Sequence, residues 1–120
     1  MTKRIILVDD SPIVQIATVQ ALTGAGYEVD VRGTFDEMLE HGVAGYDLIL
    51  MDVQMPELFG DDVAAVLRHE RGLTTPIYLF SSLGDRELAE RAKGANVDGY
   101  ISKSEGIEAL VSRVRQILGA

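Results

Sequence analysis

Residues 48–56 read Leu48-Ile49-Leu50-Met51-Asp52-Val53-Gln54-Met55-Pro56, with Gly60 close behind, and this stretch sets the fold class. Four successive apolar residues, entered from Gly45-Tyr46-Asp47, describe a strand covered on both faces, because a half-wet strand would alternate with polar residues. Pro56 lacks the N–H that a central ladder requires, so the strand stops and Asp52 stands at its C-terminal end. In open α/β sheets, ligands and chemistry gather along that edge.

Working outward, Arg4-Ile5-Ile6-Leu7-Val8 is a second buried run, and it delivers the acidic pair Asp9-Asp10 before Ser11-Pro12. Ser11 suits a helix N-cap and Pro12 the first helical position, which predicts a helix from Pro12 to Ala25, bracketed at its end by Gly24 and Gly26. Val14, Ala17, Thr18, Ala21 and Leu22 form its inward face. Ile13 and Ile16 fall on another face, nearer the acidic edge. Packing under a neighbouring loop is expected for them, with an exposed apolar docking patch as the alternative. Tyr27-Glu28-Val29-Asp30-Val31 alternates as an outer strand should, and Thr34 with Glu37 is a capping box opening a helix to His41.

Beyond Asp52, a helix is expected from Asp61 to Arg71 with Val63, Val66 and Leu67 inward, stopped by Gly72 and Thr75-Pro76. Ile77-Tyr78-Leu79-Phe80 is a fourth strand ending in Ser81-Ser82, followed by a helix from Asp85 to Lys93 that Gly94 ends. Gly99-Tyr100-Ile101 is a short fifth strand ending in Ser102-Lys103. Ile107, Leu110, Val111, Val114, Ile117 and Leu118 give the last helix a clean apolar stripe. Five strands alternating with five helices make a doubly wound α/β fold with a parallel sheet, and right-handed crossovers place helices on both faces.

Composition narrows the function classes. A length of 120 residues and 47% hydrophobic content fit one domain over residues 1–120. No run is long and apolar enough to span a membrane, and no signal peptide is apparent. The absence of cysteine excludes disulfide and thiolate chemistry and is compatible with the cytoplasm. A formal charge of −8 disfavours direct binding to nucleic acid or to anionic membranes. His41 and His69 lie in polar helical surroundings without a partner at metal-ligand spacing, and read as solvated.

The reactive side chains all fall at C-terminal strand ends: Asp9, Asp10, Asp52, Ser81 and Lys103. Carboxylates gathered within several Å repel by roughly a few kcal/mol per pair at an effective dielectric near 20, so the cluster calls for a cation. Oxygen ligands without His or Cys point to a hard divalent ion, with Mg²⁺ the fitting choice. A carboxylate beside such an ion, a lysine and a hydroxyl suits attack on phosphorus, and Asp52, alone at the centre of the edge, is the candidate nucleophile. Lys103 would offset charge on the phosphoryl oxygens and Ser81 would donate a hydrogen bond to one of them.

The joint pattern of Asp9-Asp10, Asp52 with Met55-Pro56 and Gly60, Ser81-Ser82, and Tyr100 with Lys103 resembles the receiver domain of two-component response regulators over the whole chain. The resemblance implies the flavodoxin-like receiver fold and phosphoryl transfer to Asp52 from a sensor histidine kinase or histidine phosphotransfer protein. It implies that Asp10, Asp52 and the backbone carbonyl of Gln54 ligate Mg²⁺, with Asp9 acting through water. Ser81 and Tyr100 become the switch pair that remodels a surface of the fourth helix, fifth strand and fifth helix for a downstream protein target. Homodimerisation through the fourth and fifth helices is common in that family. Nothing recognisable as an output segment follows Leu118, which fits either a single-domain regulator, of the chemotaxis type, or a domain of a longer protein.

Two departures stand out. Where the family commonly has a cis proline after the lysine, this chain has Ser104, and the cost of a cis non-proline bond, about 2.5–4 kcal/mol, predicts a trans bond and an altered loop. Leu83, two residues past Ser81, cannot hydrogen-bond an attacking water, which predicts a long-lived phosphoaspartate. A receiver-like docking module indifferent to phosphorylation is the alternative function, although the intact acidic and basic set speaks against it. A haloacid-dehalogenase-type phosphatase would want a second acid where Gln54 stands, and a flavin site a hydroxyl- and glycine-rich loop in place of Asp9-Asp10-Ser11-Pro12.

Overall fold

In the computed structural model, which describes residues 2–119, the five buried or half-buried runs pair in parallel as one sheet of order β2-β1-β3-β4-β5. The strands are β1 (Arg4–Val8), β2 (Glu28–Arg32), β3 (Leu48–Met51), β4 (Ile77–Ser81) and β5 (Gly99–Ser102). The helices are α1 (Pro12–Gly24), α2 (Phe35–His41), α3 (Gly60–His69), α4 (Asp85–Ala95) and α5 (Ile107–Leu118), with one 3₁₀ turn over Lys103–Glu105. This is the flavodoxin-like arrangement. The direction in which strands are added reverses between β1 and β3, which leaves a crevice beyond their carboxyl ends.

Alternation along the buried strands builds two cores. Ile6, Val8, Ile49, Met51, Ile77 and Leu79 meet Met38 of α2, Val63 and Ala64 of α3, and Leu88 and Ala92 of α4 on one face. Ile5, Leu7, Leu48, Leu50, Phe80 and Ile101 meet Leu22 of α1 and Leu110 and Val114 of α5 on the other. The outer strand β2 remains only partly covered, as its alternating sequence predicts.

Local chemistry starts the helices as expected. Ser11 Oγ accepts from the Val14 N–H at 3.4 Å. Thr34 Oγ1 accepts from the Glu37 N–H, and the Glu37 carboxylate returns to the Gly33 N–H, each at 3.0 Å. Three expectations need correction. Gly94 does not end α4; the helix runs on to Ala95 because Asn96 takes the left-handed conformation (φ 58°) that closes it. Val66 is exposed, since Ala64 and Val63 already meet the sheet and Val66 lies on the next arc of α3. Ile13 and Ile16 are not packed under a loop; they are 81% and 60% exposed on α1.

A polar clasp invisible to local pattern holds the far end of the sheet. The mostly buried Arg68 of α3 donates to the carbonyls of Leu73 (2.6 Å), Thr75 (2.8 Å) and Asn96 (3.2 Å) and pairs with Asp98, which also accepts from the Ile77 N–H at 2.8 Å. One guanidinium thus ties the α3–β4 and α4–β5 connections together. Arg68→Ala removes the donor of three carbonyls and the cation paired with Asp98, which keeps only the Ile77 N–H, and is expected to lower stability by about 2 kcal/mol. A urea midpoint lowered at unchanged slope is the expected result; an unmoved midpoint would assign the clasp no energetic role.

Candidate functional site

The carboxyl ends of β1, β3 and β4 and the turn after β5 bring the candidate residues to one crevice. Asp9 follows β1 directly and is fully buried, while its neighbour Asp10 is half-buried. Asp52 follows β3 and is also buried. One carboxylate oxygen from each of Asp9, Asp10 and Asp52 lies within 4.8 Å of the others. The Lys103 ammonium reaches into the cluster, 2.7 Å from Asp9 Oδ2 and 3.5 Å from Asp52 Oδ1. Asp9 Oδ1 accepts from the Ser11 N–H at 2.9 Å, whereas Oδ2 has no hydrogen bond of ordinary geometry and faces only the ammonium.

The two oxygens of Asp52 differ. Oδ1 accepts from the Gln54 N–H at 3.3 Å and faces Lys103, whereas no hydrogen bond or ion pair among the described residues engages Oδ2. Burial pushes the Asp52 carboxyl above its ordinary value of 3.8 and Asp9 adds to the rise, while Lys103 and the Gln54 N–H oppose it. Because the folded chain then holds that proton more tightly than the unfolded chain, ionising Asp52 costs stability. The penalty is absent below pH 3.8 and grows as pH rises through the raised value. Asp52→Asn is therefore expected to stabilise the metal-free protein at pH 7, with the advantage disappearing below pH 3.8. Thermal unfolding of both proteins against pH checks this; an advantage constant with pH would contradict it.

Ser81 is buried at the end of β4, its hydroxyl accepting from the Leu83 N–H at 3.3 Å. Tyr100 is half-buried against the core under α3 and α4, and borders a cleft with Asp85, Glu105 and Arg113. Gln54 is exposed and bridged to Phe59 across the loop after Asp52. No cis peptide bond occurs among the described residues, so Lys103-Ser104 is trans, and the turn is closed by contact of the Ser102 and Ser104 hydroxyls at 2.6 Å. The Lys103 ammonium also lies 5.4 Å from the centre of the Phe80 ring, a cation–π approach.

With this geometry in place, the response regulator receiver domain profile matches residues 5–115. The chain belongs to the receiver domain family. Gliding motility regulatory protein of Myxococcus xanthus is 33% identical over 117 residues, which is 95% of this chain and 15% of that protein. Transcriptional regulatory protein PdtaR of Mycobacterium tuberculosis is 31% identical over 124 residues, 96% of this chain and 60% of its own. The solved chemotaxis response regulator CheY4 of Vibrio cholerae is 26% identical with a TM-score of 0.85, covering 98% of this chain and all (100%) of that one. The receiver thus spans only part of the curated relatives' length, and it is a two-component response regulator domain whose family switches by phosphorylation.

Two features of the receiver's site escape sequence reasoning. Arg91 of α4 pairs with Asp61 of α3 at 3.0 Å and with Glu87 at 3.0 Å, and lies 5.0 Å from the centre of the Phe59 ring, so it joins α4 to the loop that leaves Asp52. Gly60 sits against the backbone of Asp52 itself. A Cβ there would overlap the Asp52 carbonyl oxygen and lie 2.9 Å from Met51 Cγ. The Arg91–Asp61 pair and the Gly60–Asp52 approach join residues that no periodicity connects, and Gly60 offered as a signal only its place in the family pattern.

Proposed function

We propose that residues 1–120 form one receiver unit that accepts a phosphoryl group on Asp52 and so acts as a cytoplasmic switch rather than as an enzyme on an external substrate. The carrying observation is the pairing of the buried Asp52 with an ammonium and two further carboxylates within a few Å. Oδ2 of Asp52, free of other partners, forms the new bond to phosphorus as the phosphorus–nitrogen bond of a phosphohistidine donor breaks; the freed imidazole takes up a proton. Lys103 pairs with the phosphoryl oxygens as their charge shifts, and Ser81, whose oxygen accepts from Leu83 N–H, keeps its own proton to donate. The close-set, oxygen-only donors fit Mg²⁺, which Asp10, Asp52 and the Gln54 carbonyl would hold, with Asp9 acting through water. Bound there, the ion supplies positive charge that relieves carboxylate repulsion and neutralises the incoming phosphoryl group.

The exposed Ile13 and Ile16 flank the acidic edge and offer the sensor histidine kinase or phosphotransfer protein an apolar footing. Movement of Ser81 toward the phosphoryl group, followed by Tyr100 inward, carries the state to the α4–β5–α5 face and its protein target or a second copy. Leu83 makes the phosphoaspartate long-lived. PdtaR is named a transcriptional regulator, but the −8 charge disfavours direct nucleic-acid contact by these 120 residues. Intact mass after incubation with Mg²⁺ and acetyl phosphate tests the reading. A gain of about 80 Da, one phosphoryl group, that is lost with a chelator and in Asp52→Asn is expected. No gain under conditions that modify another receiver would favour the phosphorylation-independent docking module.

A further inference from the structure

One side chain of α4 holds both sequence neighbours of Gly60, the residue that presses on the Asp52 peptide. Arg91 donates from Nη1 to the two carboxylate oxygens of Asp61, at 3.0 and 3.2 Å, and its guanidinium carbon lies 5.0 Å from the centre of the Phe59 ring. Its Nε donates to Glu87, one turn earlier on α4, at 3.0 Å, which fixes the direction of the fork. The Arg91 and Asp61 side chains are only 27% and 13% exposed, so the pair is unlike the solvent-screened surface pairs that contribute little.

The stretch held in this way has little packing of its own. Between Val53 and Gly60 only Met55 packs on the core, while Gln54, Pro56, Glu57, Leu58 and Phe59 are exposed. A bridge between Gln54 and Phe59, and the Gly60 N–H donating to the Val53 carbonyl at 2.8 Å, close the loop on itself. Gln54 is thereby tied across the loop to Phe59, and Phe59 to Arg91. The tie matters because Gln54 would offer the ion a backbone carbonyl. A carboxylate reaches an ion by turning about its own bonds, whereas a main-chain carbonyl moves only with its peptide plane. Mg²⁺ demands near-ideal octahedral geometry at about 2.0–2.1 Å, so a displaced carbonyl costs affinity.

We propose that Arg91 is a positioning residue for Mg²⁺. By gripping Phe59 and Asp61 it seats the loop that carries the Gln54 carbonyl, and so sets the affinity of the crevice for the ion without itself being a ligand. The inference rests on the reading of Asp10, Asp52 and the Gln54 carbonyl as the ligands. Its sign is distinctive. Arg91 is a cation, and by charge alone its removal would draw Mg²⁺ in more tightly. Loss of its grip on the loop loosens the ion instead.

Mg²⁺ titrations of the ¹⁵N-labelled full chain, followed by amide shifts at about 0.15 M salt, test this. Arg91→Gln is expected to raise the dissociation constant about tenfold, with the shifts between the metal-free proteins gathered over residues 53–61. Arg91→Lys, which keeps the cation but not the fork, should recover part of the loss. Phe59→Leu, at an exposed position and with no change of charge, is expected to weaken Mg²⁺ about two- to fivefold, and decides the matter if Arg91→Gln does not fold. Glu87→Gln, which frees Arg91 only from its own helix, should stay within about twofold. Saturable shifts at Asp10, Asp52 and Gln54 in the unsubstituted chain, with Arg91→Gln and Phe59→Leu binding as tightly or more so, would overturn the proposal and leave the Mg²⁺ ligands standing. An equal loss in Glu87→Gln would reduce Arg91 to a support of α4 and also overturn it. An unsubstituted chain without saturable shifts at those residues would overturn the Mg²⁺ ligands, and this inference with them.

Discussion

Lys103→Met is expected to cost the metal-free protein about 3 kcal/mol of stability and to slow phosphoryl acceptance at Asp52 roughly 10²–10³-fold. The first figure follows from the 2.7 Å and 3.5 Å approaches of the ammonium to Asp9 and Asp52, both buried. Methionine keeps much of the length of the stem but removes the cation and its approach to the Phe80 ring, leaving adjacent carboxylates to repel each other. Asp52 then loses the strongest influence holding its carboxyl down, so its proton affinity rises further. The deficit is therefore expected to shrink as the pH falls, and to vanish for this carboxyl below 3.8, where it is neutral in both states. Saturating Mg²⁺ should return much of the lost stability, about 2.7 kcal/mol at a hundredfold excess over its dissociation constant, without returning the rate. Urea unfolding with and without Mg²⁺, together with the time course of mass gain from acetyl phosphate, measures both. Unchanged stability would mean the ammonium is not what balances Asp9, and an unchanged rate would remove Lys103 from the proposed chemistry.

Gly60→Ala is expected to destabilise the fold by about 3 kcal/mol or more, an effect out of scale with one methyl group. The reason is space, because Gly60 has no positive φ. Its Cα packs directly on the peptide that follows Asp52, where an added Cβ would overlap the carbonyl oxygen and stand 2.7 Å from the carbonyl carbon. The neighbouring atoms are backbone, which cannot swing aside as a side chain can. The Gly60 N–H also donates to the Val53 carbonyl at 2.8 Å, so the loop is held from both ends and relief must come from moving Asp52. The same substitution at Gly94, where nothing lies within 4 Å, should be neutral or slightly stabilising because alanine favours the helix in which Gly94 lies. Paired thermal unfolding of the two variants makes the comparison. Equal transitions would show that the loop after Asp52 yields, and that the close approach carries no constraint.

The site was legible in the sequence to the extent that strands announce where they end. Asp9, Asp52, Ser81 and Lys103 each follow a short apolar run, and a parallel sheet places all such ends on one edge, so their meeting follows from topology alone. Leu48–Met51 at the centre and the alternating Glu28–Arg32 at the edge were likewise readable, because burial on two faces or one leaves different patterns. Helix starts at Ser11 and Thr34 were local chemistry and appeared as written.

What remained closed were decisions made between distant elements. Periodicity gives α1 and α3 an inward arc but not how wide a strip the sheet covers, so Val66, Ile13 and Ile16 went to solvent against expectation. Arg68, Arg91 and Gly60 look ordinary along the chain; their weight comes from carbonyls, a carboxylate and a peptide plane that the fold alone brings beside them. The sequence by itself therefore determined the order of elements and the chemistry collected at one sheet edge, both of which depend on neighbours a few residues apart. The tertiary structure decided which charges are paired, which apolar side chains are left facing water between α2 and α3, and how closely the backbone presses on Asp52. Those outcomes depend on distances between segments that only packing sets.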